Sequence, residues 1–187
     1  VDFSAYAYAS LGNEIVRKLK ALDSNAYQTD KLRLAGLRKI LSEHTYEDRF
    51  KYILQKAFAN SSEHVLPDVV VFTLVQGESD LSRFIDNVKR QSYEIKKVVV
   101  LVDRFSTNGI AKKLTENAIV NFSVLSLDDV LGQSLFKLHS SSSWLTYFSS
   151  LDLYGSNYLL DIFLATRFTD ALFIGKSSYF EEAENKL

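Results

Sequence analysis

WLTYFSSLDLYGSNYLLDIFLATRFTDALFIGK, Trp144 to Lys176, holds the junction on which the fold is decided. It begins as a short apolar run and breaks at Phe148-Ser149-Ser150-Leu151-Asp152. It turns at Tyr154-Gly155 and resumes as an amphipathic helix. A second apolar run, Leu172 to Gly175, reads as a further strand. A strand end beside a helix start is where an α/β protein places its ligand. One carboxylate, Asp152, stands at that spot with two serines ahead of it.

Upstream the same alternation repeats. Val69 to Val75 (VVVFTLV) is a continuous β-rich apolar run, the pattern of a strand buried on both faces. Gly77 and Glu78 turn the chain, and Ser79 or Asp80 can cap a helix carrying Leu81, Phe84, Ile85 and Val88. Val98 to Val102 is a second buried strand ending in Asp103. A loop over Arg104–Gly109 and a short helix with Ile110 and Leu114 follow. Ile119 to Leu125 reads as strand, Asp128 to Leu138 as helix, and Leu145 to Phe148 as strand. Apolar strands alternating with helices predict βαβ units and a mostly parallel, Rossmann-like sheet flanked by helices.

The first 60 residues obey a different period. Leu11, Ile15, Leu19 and Leu22 share one helical face; Leu32, Leu34, Leu37, Ile40 and Leu41 make a second set. Thr45 with Asp48 three residues on forms a shortened capping box. It opens a third helix expected to bury Phe50, Ile53, Leu54 and Phe58. Residues 61–66 read as a linker, so the expected organisation is 1–60 helical, then an α/β domain over 67–187.

Composition narrows the function. The chain of 187 residues carries 22 basic and 23 acidic side chains, a net charge of -1. That balance gives no electrostatic footprint for nucleic acid. No apolar run reaches the roughly 18 residues of a membrane span, and no signal peptide is visible. With no cysteine, disulfides and thiolate sites are excluded. A cytoplasmic location, including the inner face of a membrane, is expected. Methionine is absent even at the first position, which reads as a fragment or as lost methionine positions. Short motifs therefore weigh more than long spacings.

His44, His64 and His139 are isolated, and no dinucleotide fingerprint, P-loop or nucleophile elbow is present. What remains is positional. Loops after the first, second and fourth strands gather at the carboxyl edge of a parallel sheet. They supply Thr73, Gln76 and Glu78; Asp103, Ser106 and Thr107; and Ser149, Ser150 and Asp152. Carboxylates and hydroxyls in such a crevice suit a base, a ribose and, with a divalent cation, a diphosphate.

Several separated pieces of residues 67–176 resemble the nucleotide-binding half of family 2 glycosyltransferases, which have the GT-A fold. Pro67-Asp68-Val69-Val70-Val71-Phe72-Thr73 resembles their first strand. Asn87-Val88-Lys89-Arg90-Gln91-Ser92-Tyr93 resembles the N-x-x-x-Q-x-Y that closes their first helix. Lys97 to Thr107 resembles the second strand and its acidic loop. Trp144 to Gly175 resembles their acidic cluster and the helix after it. Residues 31–55, with Glu43-His44-Thr45-Tyr46-Glu47-Asp48-Arg49-Phe50, resemble the helical tail of spore-maturation-type glycosyltransferases. A plain helical cap on the sheet stands equally beside that reading.

The resemblance implies a nucleotide-sugar donor, UDP-linked, and a glycan or cell-surface polymer as acceptor. It implies nucleotide-binding roles for Thr73, Glu78, Asp103, Ser150 and Asp152. Thr73, Glu78 and Asp103 would hold base and ribose, and Asp152 would keep the metal or diphosphate contact. The implied cofactor is a divalent cation, Mn or Mg, that offsets charge on the leaving diphosphate. The family's acidic cluster falls here on Ser149, Ser150, Leu151 and Asp152, so three acids are missing, and Arg104 follows Asp103 where a second acid is common. No residue is assignable as catalytic base. An active transferase, or a fragment of one, and a non-catalytic binding or assembly module are both open.

Overall fold

The computed structural model describes residues 12–58, 66–103, 107–131 and 143–177. The chain forms two compact units, Val1–His64 and Val65–Leu187.

In the first unit α1 (Gly12–Asp23), α2 (Ala26–Glu43) and α3 (Tyr46–Phe58) follow one another. Asn25 caps α2, its side chain accepting the Gln28 N–H at 3.1 Å. The capping box at α3 forms as the sequence predicts. Thr45 Oγ1 accepts the Asp48 N–H, while the Asp48 carboxylate accepts the Thr45 N–H and hydroxyl at 2.9 and 2.8 Å. The expected burial does not follow. No described side chain of α2 or α3 is buried, and Phe50, Ile53 and Phe58 are 61%, 60% and 70% exposed, with Leu54 half-buried. Three short helices offer too little apolar surface to one another to enclose a core.

The second unit is α/β. Its strands β1 (Asp68–Val75), β2 (Lys97–Val102), β3 (Phe122–Ser126) and β4 (Ser143–Tyr147) form a parallel four-stranded sheet in the order β3-β2-β1-β4 among the described residues. Helices α4 (Glu78–Arg90), α5 (Thr107–Glu116), α6 (Leu127–Val130) and α7 (Tyr158–Ala165) are interleaved with them. β1 is central, pairing Val75 with Val102 on one side and Phe72 with Tyr147 on the other. Side chains alternate across it. Val69, Val71 and Val75 join Leu81, Phe84 and Ile85 of α4, Ile110 and Leu114 of α5, and Leu159 and Phe163 of α7. Val70 joins Val99 and Leu101 on the other face, against Leu125 and Val130. Phe84, Phe148 and Phe163 are fully enclosed, each contributing about 1.5–3 kcal/mol. Tyr93 stacks near Phe163 and donates its hydroxyl proton to the Pro67 carbonyl. Burial pushes that phenol up to about 12.

Several boundaries differ from the sequence reading. α4 starts at Glu78, with Gly77 as its N-cap, because Asp80 spends its carboxylate accepting the Gln76 N–H at 3.1 Å. β3 begins at Phe122 because α5 ends in a two-bond turn. The Ala118 N–H bonds Thr115 O at 3.0 Å, and the Ile119 N–H bonds Leu114 O at 3.0 Å. The expected strand Leu172–Gly175 is not formed; Leu172 and Phe173 are 86% and 92% exposed, without strand pairing. Of the expected helix Asp128–Leu138, α6 covers only the start; residues 132–138 lie outside the described residues.

The α5 turn puts Ala118 at φ 60°, a left-handed backbone that a Cβ disfavours. Ala118→Gly should therefore raise unfolding free energy by about 0.5–1 kcal/mol, measured by urea denaturation.

Candidate functional site

A parallel sheet gathers its ligand-facing loops at the carboxyl edge, and the crevice opens where the strand order reverses. In the order β3-β2-β1-β4 that reversal lies between β1 and β4. The Phe148 N–H carries the ladder one step further, bonding Phe72 O at 2.9 Å. The loop after β4 then delivers Ser149, Ser150 and Asp152 at the reversal. The loop after β1 delivers Gln76 to Glu78 beside it. Asp103 follows Val102, the residue in register with Val75, and is half-buried.

The predicted residues divide around β1. Glu78 pairs with Lys113 of α5 at 3.0 Å, an exposed contact that ties it to the β2 side, where Asp103 emerges. Ser150, 8% exposed, and the exposed Asp152 belong to the β4 side. Thr73 lies between them but is fully buried, and its hydroxyl has no hydrogen-bond partner among the described residues. Its position on β1 is as expected, yet its side chain faces the core rather than the crevice. Ser106 and Arg104 lie outside the described residues, as do His64 and His139. His44 caps the end of α2, donating its N–H to Ile40 O.

The turn itself is built from aromatic stacking and main-chain hydrogen bonds. Phe148 and Tyr154 stack in parallel, with centroids 4.1 Å apart and planes 4° apart, and Tyr158 meets Tyr154 edge-on at 4.9 Å. The Tyr154 hydroxyl accepts the Ser149 N–H at 2.9 Å. Burial raises the phenol of Tyr154, the Ser149 hydrogen bond opposes that, and the nearby Asp152 charge adds to it. Burial first and Asp152 second raise the phenol of Tyr158 as well. Ser149 accepts the Leu151 N–H through its hydroxyl at 3.1 Å, so it is committed to forming the turn. Lys176 lies 5.1 Å from the centre of the Tyr158 ring and pairs with Asp161 at 3.1 Å.

Two residues read from sequence only as the end of a helix prove central to this turn. Asn87, 1% exposed, donates from Nδ2 to Asp152 O at 2.9 Å and accepts the Tyr154 N–H at 3.1 Å. Gln91 donates to Gly155 O at 3.1 Å and accepts the Leu159 N–H at 3.2 Å. Next to them, Ser92 donates its N–H to Ser156 O and its hydroxyl to Asn157 Oδ1. The i, i+4 spacing of two amides on one face of α4 was the available signal. These bonds explain why α7 begins at Tyr158 and not at Tyr154, since residues 152–157 are held as a turn.

The donor set for a divalent cation is thin. Among the described residues no group of three or more His, Asp or Glu gathers in a metal-holding arrangement. At the turn Asp152 is the one carboxylate, whereas Mg²⁺ is typically held by one or two carboxylates together with water and substrate phosphates. Leu151, 81% exposed, offers no carboxylate. Among the described residues no helix is long and apolar enough to cross a membrane. A groove of 370 Å³ lined by Glu43, His44, Asp48, Arg49, Tyr52 and Ile53 belongs to the first unit. There Lys39 holds the Glu43 carboxyl below its usual range, and Asp48 is engaged in the capping box.

Comparison with protein-family models, with curated proteins and with solved structures finds no match for this chain.

Because Thr73 is enclosed without a partner, Thr73→Val removes an unsatisfied group at constant shape. Thermal unfolding should show stability unchanged or raised by up to about 1 kcal/mol, and any ligand affinity of the crevice should be unaffected.

Proposed function

We propose that the α/β unit is the nucleotide-binding half of a GT-A-like glycosyltransferase, taking a nucleotide sugar that is UDP-linked. The acceptor in this reading is a glycan or cell-surface polymer. The observation that carries it is the position of the turn after β4. A hydroxyl, Ser150, and a carboxylate, Asp152, stand at the strand-order reversal of a parallel sheet, where nucleotides bind in open α/β folds. Glu78 and Asp103, on the β2 side of the same edge, suit a ribose or base as hydrogen-bond acceptors. Asp152 suits an indirect, water-bridged contact to the diphosphate, because two anions do not pair directly.

Transfer in this reading is a direct displacement with inversion: the deprotonated acceptor hydroxyl bonds the anomeric carbon as the bond from that carbon to the diphosphate oxygen breaks and UDP leaves. The base that takes the hydroxyl proton has no assigned residue. A second reading, a non-catalytic module that binds nucleotide or organises a larger transferase, is favoured by one observation. Leu151 projects into solvent in the middle of the segment that resembles the acidic cluster, and Ser149 is spent on the turn. The transferase and a nucleotide-binding module both predict nucleotide binding, and a module that only organises a larger transferase predicts none.

Calorimetric titration with UDP and UDP-sugars, with and without manganese, tests them together. The expected result is binding in the absence of metal, changed by less than about threefold on adding manganese, under 0.7 kcal/mol. No binding in either condition overturns the nucleotide reading. A large manganese requirement overturns the single-carboxylate description. Adding Asp in place of Ser149 and Leu151 should raise manganese affinity. An unchanged affinity would mean that the turn does not present those positions to a common point.

A further inference from the structure

We infer that Asn87 and Gln91 are positioning residues: they grip the main chain of the turn after β4 and thereby fix where Asp152 is presented to a ligand. The affinity consequence rests on the nucleotide reading above; the grip itself does not.

The grip is made across the fold. Its four hydrogen bonds link residues 65, 67, 64 and 68 apart in sequence, and all four end on backbone groups of Asp152, Tyr154, Gly155 and Leu159. Gln91 Nε2 also donates to the main-chain carbonyl of Asn87 at 3.2 Å. A side-chain amide is neutral and carries a donor NH₂ and an acceptor oxygen side by side, so each residue can satisfy an N–H and a C=O of the turn without burying a charge. Asn87 touches residue 152 itself through its carbonyl. The Asp152 side chain is left in solvent.

The main chain closes α4 through the bond from the Gln91 N–H to Val88 O, to which the Gln91 side chain adds its bond to Asn87 O. The Asn87 side chain serves the turn, and that of Gln91 serves both. The turn's own side chains do little of the holding, Ser149 to Leu151 and Tyr154 to Ser149 being the local bonds at its start. Position 152 is thus located from α4 through main-chain atoms of the turn.

Three forms of the whole chain separate positioning from general support: wild type, Gln91→Leu and Gln91→Glu. Two readouts are taken, amide hydrogen exchange across the sheet and the turn, and UDP affinity without metal. In Gln91→Leu the Leu159 amide should exchange about tenfold faster, β1 and β2 amides should be unchanged, and UDP should bind about tenfold more weakly. Gln91→Glu keeps the acceptor for the Leu159 N–H. It should restore protection at Leu159 and recover part of the affinity.

Unchanged exchange at the turn in Gln91→Leu overturns the grip. Faster exchange with UDP affinity unchanged overturns positioning and leaves a supporting contact only. Loss of protection throughout β1 and β2 likewise identifies general support and overturns it. If the wild type binds no UDP, the nucleotide reading fails, and the grip stands or falls on the exchange data alone. Asn87→Asp provides a second test of the grip. It keeps the acceptor for Tyr154 but turns a carboxylate oxygen toward the Asp152 carbonyl, so faster exchange should appear at the turn alone.

Discussion

A chain that folds back over the end of a buried parallel sheet must find partners for the peptide groups it takes out of water. Between β4 and α7 the chain has no regular structure in which to do so. Asn87 and Gln91 meet that requirement from α4, one helix turn apart, and the fold on the β4 side depends on it. With the turn fixed, α7 starts at Tyr158. Its Leu159, Ile162 and Phe163 then face the core that α4 also covers. Phe148 and Tyr154, on either side of the turn, stack against each other to close it. The same few bonds therefore determine where a helix begins, how a core closes and where the one exposed carboxylate of the turn sits.

The two units differ in how they treat apolar surface. In the α/β unit the runs Val69 to Val75 and Val98 to Val102 have helices on one face and a smaller apolar cluster on the other, and most of their side chains are buried. In the helical unit Leu34, Leu37 and Ile40 on α2 and Phe50 and Ile53 on α3 stay more than half exposed. The local rules hold there all the same. Asn25 and Thr45 cap their helices, and Glu14–Lys18 and Glu47–Lys51 pair along the surface at 3.0 and 2.7 Å. Surface pairs of that kind contribute only about 0.3–0.5 kcal/mol each, so caps and pairs shape these helices without supplying a core.

How much was legible in the sequence follows from which interactions are local. β1 and β2 were legible because a strand buried on both faces needs an unbroken apolar run, and Thr45 with Asp48 because a capping box is complete within four residues. The start of α7 was not, because its turn is set by residues more than sixty positions away. Leu172 to Gly175 has the composition of a strand but no strand pairing in the structure, and apolar composition records only the capacity to pair. Phe50, Ile53 and Phe58 have helical spacing, but spacing marks a face and not what covers it. At the candidate site, the sequence could not show that Thr73 turns inward or that Glu78 is tied to Lys113.

The frame of the site and its charged groups are held by different interactions. Hydrogen bonds from Asn87 and Gln91 end on main-chain atoms, which every residue type supplies. A substitution at Ser149, Ser150 or Leu151 removes none of them. The carboxylates that would hold a cation have no such protection, since each depends on the residue present at one position. A turn of this construction can lose acidic side chains one at a time and keep its shape. Here the frame surrounds Asp152, Ser149 is committed to a backbone bond, and Leu151 faces solvent. The shape of the turn and its chemistry are accordingly separate questions.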